Sequence, residues 1–317
     1  MKQIKLLMLV AILGLGIGLP ATAQQASTIF EIQPGVSMLG AGAAGLSVAN
    51  GAETLYYNPA SLAALPGISF SSFYASHMGL ANYSALSLTF RNWGLAALLL
   101  DSGGIDGYDA NGNATTALSY KNTGILFGVG IDPSSFSFIP NLPFDFSIGA
   151  RIKYLSVQIA EDSGTGFSFD LGFRTTMPDM KLGPLSVTDF AIGVTAVNLF
   201  GGISYDVEQD NFEMDVRLGT SVRMAKVFFV ALDLYLGGSA HLGVVYSPVP
   251  SLDLRLGVIS GSTVSLTAGV GVNVDGFLID YAFATHKLGG THRVSLTLDF
   301  ANLDLGGISR SLRNILP

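Results

Sequence analysis

The chain has 317 residues, of which 49% are hydrophobic and only 12% charged, and 23 acidic against 16 basic side chains leave a net charge of -7. Soluble domains carry about 25% charged residues, so more apolar side chain is present than an aqueous surface can hide. The acidic balance and the lack of any basic run argue against nucleic acid, whose phosphates demand clustered Lys and Arg. The absence of cysteine excludes disulfides, thiol catalysis and thiolate metal sites.

Residues 1–23 read as a secretory signal peptide. Lys2 and Lys5 precede an apolar stretch from Leu6 to Leu19, and Ala21-Thr22-Ala23 forms a small-residue cleavage site that leaves Gln24 first. The apolar stretch is shorter than the ~20 residues of a membrane-spanning helix, so it reads as removable. Elsewhere no apolar run reaches that length, which rules out a bundle of spanning helices and leaves a closed barrel as the way to place this much apolar surface.

Residues 24–66 are expected to form a hatch. Between Thr28 and Leu65 there is no alternation, and Gly and Ala crowd the segment. Gly35, Gly40, Gly42, Gly45 and Gly51 allow close backbone approach. Asn58-Pro59 predicts a helix start, with Asn as cap and Pro at the first helical position, and that helix stops before Pro66. Gly40-Ala41-Gly42-Ala43-Ala44-Gly45 matches the dinucleotide pattern G-x-G-x-x-G, but no preceding strand, crossover helix or acidic residue ~20 positions on accompanies it. In a chain holding this much Gly and Ala, chance or close packing is the better reading.

From Gly67 to Phe300 period two dominates. Val294, Leu296, Leu298 and Phe300 oppose Arg293, Ser295, Thr297 and Asp299; Leu252, Leu254, Leu256 and Val258 oppose Asp253 and Arg255. The pattern predicts strands over 67–76, 84–91, 93–101, 123–131, 144–159, 166–176, 186–198, 213–223, 226–236, 241–248, 251–259, 264–273, 276–285 and 292–300. That is an antiparallel transmembrane β-barrel of about 14 strands, all-β, an even count as such barrels require. Periplasmic turns are expected to be short, as at Asn92, Met224-Ala225, Val249-Pro250 and Val274-Asp275, with long outer loops over 102–122 and 199–212. The links 132–143 and 177–184 depart from that rule. Residues 301–317 would follow the barrel as a periplasmic tail.

A β-sandwich would also alternate, but its outward faces would be rich in Lys, Glu and Thr. Here the polar faces carry Gly, Ser and Ala with single charges, which suits a crowded lumen. Asp145, Asp170, Asp215, Asp233, Asp253, Asp280 and Asp299 balance Arg151, Lys153, Arg174, Arg217, Arg223, Arg255 and Arg293. Charges between low-dielectric walls are costly unless paired, so these are expected to form cross-strand ladders. Aromatics near strand ends, among them Phe70, Phe73, Tyr74, Tyr83, Phe90, Trp93, Tyr154, Tyr246, Tyr281 and Phe300, are candidates for interfacial girdles.

No catalytic constellation is found. His77, His241, His286 and His292 are scattered without metal spacing, no Gly-x-Ser-x-Gly elbow, His-Glu-x-x-His or P-loop occurs, and Glu161-Asp162 reads as a solvated outer turn. No enzyme activity, cofactor or metal is expected.

Phe30-Glu31-Ile32-Gln33-Pro34-Gly35-Val36-Ser37-Met38-Leu39-Gly40, the run Gly42 to Gly51, and Tyr56-Tyr57-Asn58-Pro59-Ala60-Ser61-Leu62 together resemble the opening of the PorV/PorQ family. That family is similar to the FadL hydrocarbon and fatty-acid transporters, which share an Asn-Pro-Ala element in their hatch, and Gly290 to Leu296 resembles the family's last strand. The resemblance implies a fourteen-stranded barrel in the bacterial outer membrane with its hatch on residues 28–65, in contact with outer-membrane lipids. It implies passage of a hydrophobic ligand, or service in type IX secretion through binding of secreted cargo C-terminal domains and secretion-system components. Tyr56, Tyr57, Asn58, Pro59 and Ala60, with Gly40, Gly42 and Gly45, are the hatch positions of interest. Phe300 would be the terminal aromatic of the assembly signal, and the residues after it depart from the family pattern. A structural scaffold barrel with a sealed lumen is the alternative.

Overall fold

The computed structural model describes residues 29–32, 34–109, 111–136, 144–160, 162–183, 185–206 and 209–302. The expected signal peptide, Glu161 and all but the first two residues of the expected tail lie outside the described residues.

Fourteen antiparallel strands close on themselves. In chain order they are β1 Ser69–His77, β2 Ala81–Phe90, β3 Trp93–Tyr108, β4 Ala114–Ile131, β5 Asp145–Ile159, β6 Asp162–Thr176, β7 Leu185–Tyr205, β8 Asp215–Met224, β9 Phe228–Tyr235, β10 Ser239–Val249, β11 Leu252–Ser260, β12 Val264–Val274, β13 Phe277–Ala284 and β14 Thr291–Asp299. Each pairs with its sequence neighbours. The ring is completed where β14 meets β1, with Ser69 opposite Asp299 and Ser76 opposite His292. Two three-residue strands, Met180–Leu182 and Gln209–Asn211, pair with β7 outside the ring. No helix among the described residues is long and apolar enough to cross a membrane.

The predicted alternation sets the two faces. On β14, Arg293 and Ser295 are buried while Val294 and Leu296 are exposed; on β6, Asp170 is buried while Phe167 and Leu171 are exposed. Leu256 is 67% exposed and its strand neighbour Arg255 only 7%. An ordinary aqueous surface does not present aliphatic side chains in this order; a wall facing lipid does. Two candidate girdle aromatics depart from the expectation. Phe73 and Tyr83 point inward and are buried, packed edge to face at 5.1 Å between ring centroids.

The expected long loops are shorter than predicted, because paired backbone continues through them. β3 runs on to Tyr108 and β4 starts at Ala114, with register shifts between Asp101 and Gly104 and between Ile105 and Gly107. The segment 102–122 is rich in Gly, Ser and Asn, so it carries no apolar alternation, and only the ladder with its partner strand reveals it as sheet. β7 likewise extends past its expected end at 198 to Tyr205 through a bulge. The link 177–184 contains the short strand Met180–Leu182 folded back on β7, which accounts for its length.

Residues 29–65 form short helical turns at Ile29–Glu31, Ser37–Gly40, Gly51–Glu53, Thr54–Tyr57 and Pro59–Ala64. The helix at Asn58-Pro59 starts as predicted but is a 3-10 turn, with the Asn58 side chain accepting from the Ala60 amide. These turns pack on inward-facing positions around the whole ring: Ser37–Gly40 against β11, β12 and β13, and Pro59–Ala64 against β4, β5 and β6. Leu46 meets Gly193 of β7 and Gly219 of β8, and Ala41 meets Gly243 of β10. The segment therefore lies inside the ring of strands.

Inward-facing glycines make room for it. A β-carbon at Gly149, Gly172, Gly193, Gly243 or Gly257 would overlap backbone or side-chain atoms of residues 41–60, and one at Gly128 would sit 2.6 Å from Leu55 Cδ1. Replacing Gly243 with Val is expected to remove the room taken by the Ala41 carbonyl and destabilise the fold by at least the 1–3 kcal/mol typical of overpacking. In urea titrations of refolded protein in micelles, the G243V midpoint should drop, and that of Val244→Ala on the lipid face should hardly move.

Candidate functional site

The lumenal segment is held by polar contacts that come from nearly every part of the ring. Asn58 is fully buried: its Nδ2 donates to the Leu46 carbonyl at 2.9 Å and to the Phe173 carbonyl of β6 at 3.0 Å, and its Oδ1 accepts from the Ala60 amide at 3.0 Å. One side chain thus ties two parts of the segment to the wall. Gly172 has to be glycine here, since a β-carbon would overlap Asn58 Oδ1 and sit 3.0 Å from Pro59. Asn92, in the turn between β2 and β3, donates its amide to the Leu62 carbonyl.

Glu53 fastens the segment to itself. Its carboxylate accepts from the Val36, Ser37 and Met38 amides at 2.7, 2.9 and 3.0 Å and from the Ser37 hydroxyl. These amides open the turn Ser37–Gly40, where free N–H groups and the local dipole favour an anion. Period-two reading had no means of finding this residue, because its partners lie in an irregular stretch.

Of the charges expected as cross-strand ladders, Arg151 pairs with Asp170 and Arg223 with Asp189 across adjacent strands, and others also meet residues 29–65. Asp170 is fully buried and bridges Arg151 at 2.5 Å and Lys153 at 2.9 Å, and Arg151 also donates to the Leu55 carbonyl at 2.6 Å. Arg217 binds Asp215 on its own strand at 2.9 Å and Glu31 of the lumenal segment at 2.8 Å, its guanidinium lying 4.4 Å from the centre of the Tyr235 ring. Arg255 joins Asp253 at 2.9 Å and Asp280 at 2.5 Å. Arg174 donates to the Ser47 carbonyl, and Arg293 to the Gly35 and Ile32 carbonyls. Asp233 accepts from the Leu46 amide, and His241 lies against the Ala43 carbonyl while stacking on Tyr235 at 4.4 Å.

Four of the wall charges, Arg151, Arg174, Arg293 and Asp233, thus bond the backbone of residues 32–55. Asp145 and Asp299 belong to no ion pair among the described residues: Asp145 is exposed at the rim and Asp299 accepts from Ala301 and Asn302 in the turn after β14. Strand alternation predicted which charges face inward; it carried no information on the segment that would meet them.

Gly40, Gly42 and Gly45 serve close contact. Gly40 packs on Gly269 of β12, Gly42 has φ +69° against the Leu242 carbonyl, and Gly45 lies flat under the Tyr57 ring, where a β-carbon would come within 2.7 Å of ring carbons. Gly45 thereby seats Tyr57.

Two cavities flank the segment. One, about 170 Å³, lies beneath the hairpins that join β9 to β10 and β11 to β12 and is lined by Phe30, Glu31, Pro34, Leu46, Tyr56, Tyr57, Arg217, Tyr235, Ser239, His241 and Ile259. The other, about 340 Å³, lies at the opposite rim, where β1 begins, between Ala63–Pro66 and Arg91, Asp132, Asp145, Phe146, Ser147 and Arg174. The first is aromatic with one ion pair; the second is charged.

Glu31 lies in a 3-10 turn, outside the strands. Burial alone would raise its pKa, but the charges of Arg217 and Lys153 outweigh burial and hold it below the ordinary carboxylate range. Burial pushes the Tyr57 phenol well above its usual value, so it keeps its proton.

Removing Asp170 leaves two buried cations without their shared carboxylate, a change that typically costs about 3–5 kcal/mol. Asp170→Ala is expected to lower the urea midpoint strongly, and adding Arg151→Met and Lys153→Met to it should recover part of that loss.

No protein-family model matches the sequence, and no match is found among curated proteins. Solved structures do match. The toluene transporter TodX of Pseudomonas putida is 14% identical with a TM-score of 0.50, the alignment covering 82% of this chain and 95% of that one. A TodX variant described as a monoaromatic hydrocarbon channel is 12% identical with a TM-score of 0.51, covering 83% of this chain and 97% of that one. At these identities the likeness shows a shared fold: the chain is a closed fourteen-stranded barrel of the kind found in those channels.

Proposed function

We propose that the protein is a bacterial outer-membrane channel for hydrophobic small molecules, in which residues 29–65 act as a hatch between the two cavities. The observation that carries this reading is the pair of cavities on opposite sides of a lumenal segment that is fixed to the wall by hydrogen bonds and ion pairs. Such a segment can shift when a few polar contacts exchange, without breaking the sheet. The apolar outer wall supports a membrane location, and the shared fold with hydrocarbon channels supports the class of cargo. Each end of the path has its own character: an aromatic cavity under the β9–β10 and β11–β12 hairpins, facing outside, and a charged one at the rim where β1 begins, facing the periplasm.

A second reading rests on residues 30–62, which resemble the opening of the PorV/PorQ family. In it the barrel serves type IX secretion, with the rim where the strands begin and end engaging cargo C-terminal domains or secretion components. A barrel permanently sealed by the same segment would serve only as a scaffold.

Asn58 separates these readings. Its three hydrogen bonds contribute about 1 kcal/mol each, enough to set the resting position of the hatch and too little to hold the barrel together. Asn58→Ala is expected to lower toluene entry into vesicles carrying the protein at least several-fold, with heat-modifiable migration and β-rich circular dichroism unchanged. Unchanged entry would remove the hatch role. A wild-type barrel that passes no toluene but co-purifies with secretion components would favour the secretion or scaffold reading.

A further inference from the structure

The cavity at the rim where β1 begins, about 340 Å³ in volume, brings together charges that lie far apart in the chain. Arg91 stands in the turn between β2 and β3, Asp132 follows β4, Asp145 opens β5 and Arg174 lies near the end of β6. Residues 63–66 of the lumenal segment and Phe146 add an apolar lining.

These charges line one cavity without neutralising one another. Among the described residues Arg91, Arg174 and Asp145 form no ion pair. Arg174 is half-buried, and its Nε donates to the Ser47 carbonyl at 2.8 Å, while its two terminal nitrogens have no acceptor among the described residues. Asp189, whose charge reaches it, pairs with Arg223 instead. Asp132 already accepts from Ser134, which leaves Asp145, exposed at the rim, as the carboxylate open to a ligand. Residues 137–143, which link the two aspartates in the chain, include no charged side chain. A guanidinium partly withdrawn from water with donors unused favours a carboxylate. A simple anion in this cavity would also meet Asp145, and a simple cation would meet two guanidinium groups. A molecule carrying both signs meets each with its opposite.

We infer that this cavity binds small zwitterions with an apolar side group, the class of α-amino acids and short peptides, with Arg174 and Arg91 taking the carboxylate and Asp145 the ammonium group. At about 340 Å³ it offers roughly twice the ~150 Å³ of an engineered cavity that binds benzene, room for one ring and a charged head. Residues 63–66 and Phe146 receive the side group. Arg174 also ties the site to the lumenal segment, because the guanidinium that takes the carboxylate is the one that holds the Ser47 carbonyl. Binding here does not require passage of hydrocarbons, so it stands or falls apart from the channel reading.

The test is equilibrium dialysis of full-length protein in nanodiscs, with empty nanodiscs subtracted, against phenylalanine, N-acetylphenylalanine, phenylalaninamide and N-acetylphenylalaninamide, which share the ring and differ in charge. Phenylalanine should bind most tightly, and blocking either end should weaken it about tenfold, equivalent to about 1.4 kcal/mol. Asp145→Asn, a change at an exposed position that leaves the barrel intact, should weaken phenylalanine about as much as the acetyl group does and leave N-acetylphenylalanine no weaker. Arg174→Met should likewise weaken phenylalanine and leave phenylalaninamide no weaker. Alanylphenylalanine run in parallel distinguishes the sources: tighter binding of the dipeptide assigns the site to peptides, tighter binding of phenylalanine to free amino acids, and either result keeps the class. Equal affinity for the four compounds, no binding of any, or losses in both variants that fall alike on all four would overturn the inference.

Discussion

Closure of the sheet is the constraint on which the rest of the molecule depends. β7 pairs with β8 from Asp215 opposite Val197 to Met224 opposite Val187, and β14 pairs with β1, so no strand of the ring presents a free edge. In hydrocarbon an unpaired N–H or C=O costs several kcal/mol, and only a closed ladder satisfies all of them while the aliphatic side chains face outward. Closure also creates an interior, and fourteen strands enclose more space than their own inward side chains fill. Glycine, serine and alanine dominate that inner face, and residues 29–65 occupy the room they leave.

Filling the lumen with an irregular segment raises a second difficulty, since its backbone cannot bond to itself as a helix or sheet would. Buried polar groups must find partners. The inward charges of the wall meet this need: Arg151, Arg174 and Arg293 donate to carbonyls of the segment, and Asp233 accepts from one of its amides. Glu53 performs the same service within the segment. Charge pairing and backbone satisfaction are therefore one network, in which Asp170 neutralises two cations while one of them also holds Leu55.

That network gives the functional reading its physical content. Contacts of about 1–3 kcal/mol each, spread around a ring that does not need them for closure, would under the proposed reading let the segment exchange positions while the barrel stays intact. The asymmetry between an aromatic cavity at one rim and a charged one at the other gives a path with two distinct ends.

The amino-acid sequence by itself determined the membrane wall. Period two and the Asn-Pro helix-start signal are local properties, and they located all fourteen strands, most of the inward-facing charges and the cap at Asn58-Pro59, because each depends on neighbours a few positions away. It under-read the strand extensions around Ser102 to Asn113 and Leu199 to Tyr205, where polar and glycine residues hide the alternation and cross-strand bonds alone define the sheet. Tertiary structure decided the rest: that Arg217 would pair with Glu31, that Glu53 would gather three amides, that Phe73 and Tyr83 would pack together inside the ring, and that the Tyr57 ring would seat on Gly45. Arg217 and Glu31 are separated by 186 positions in the chain, and a contact of that kind arises only when the ring has closed around the segment, so no local pattern could carry it.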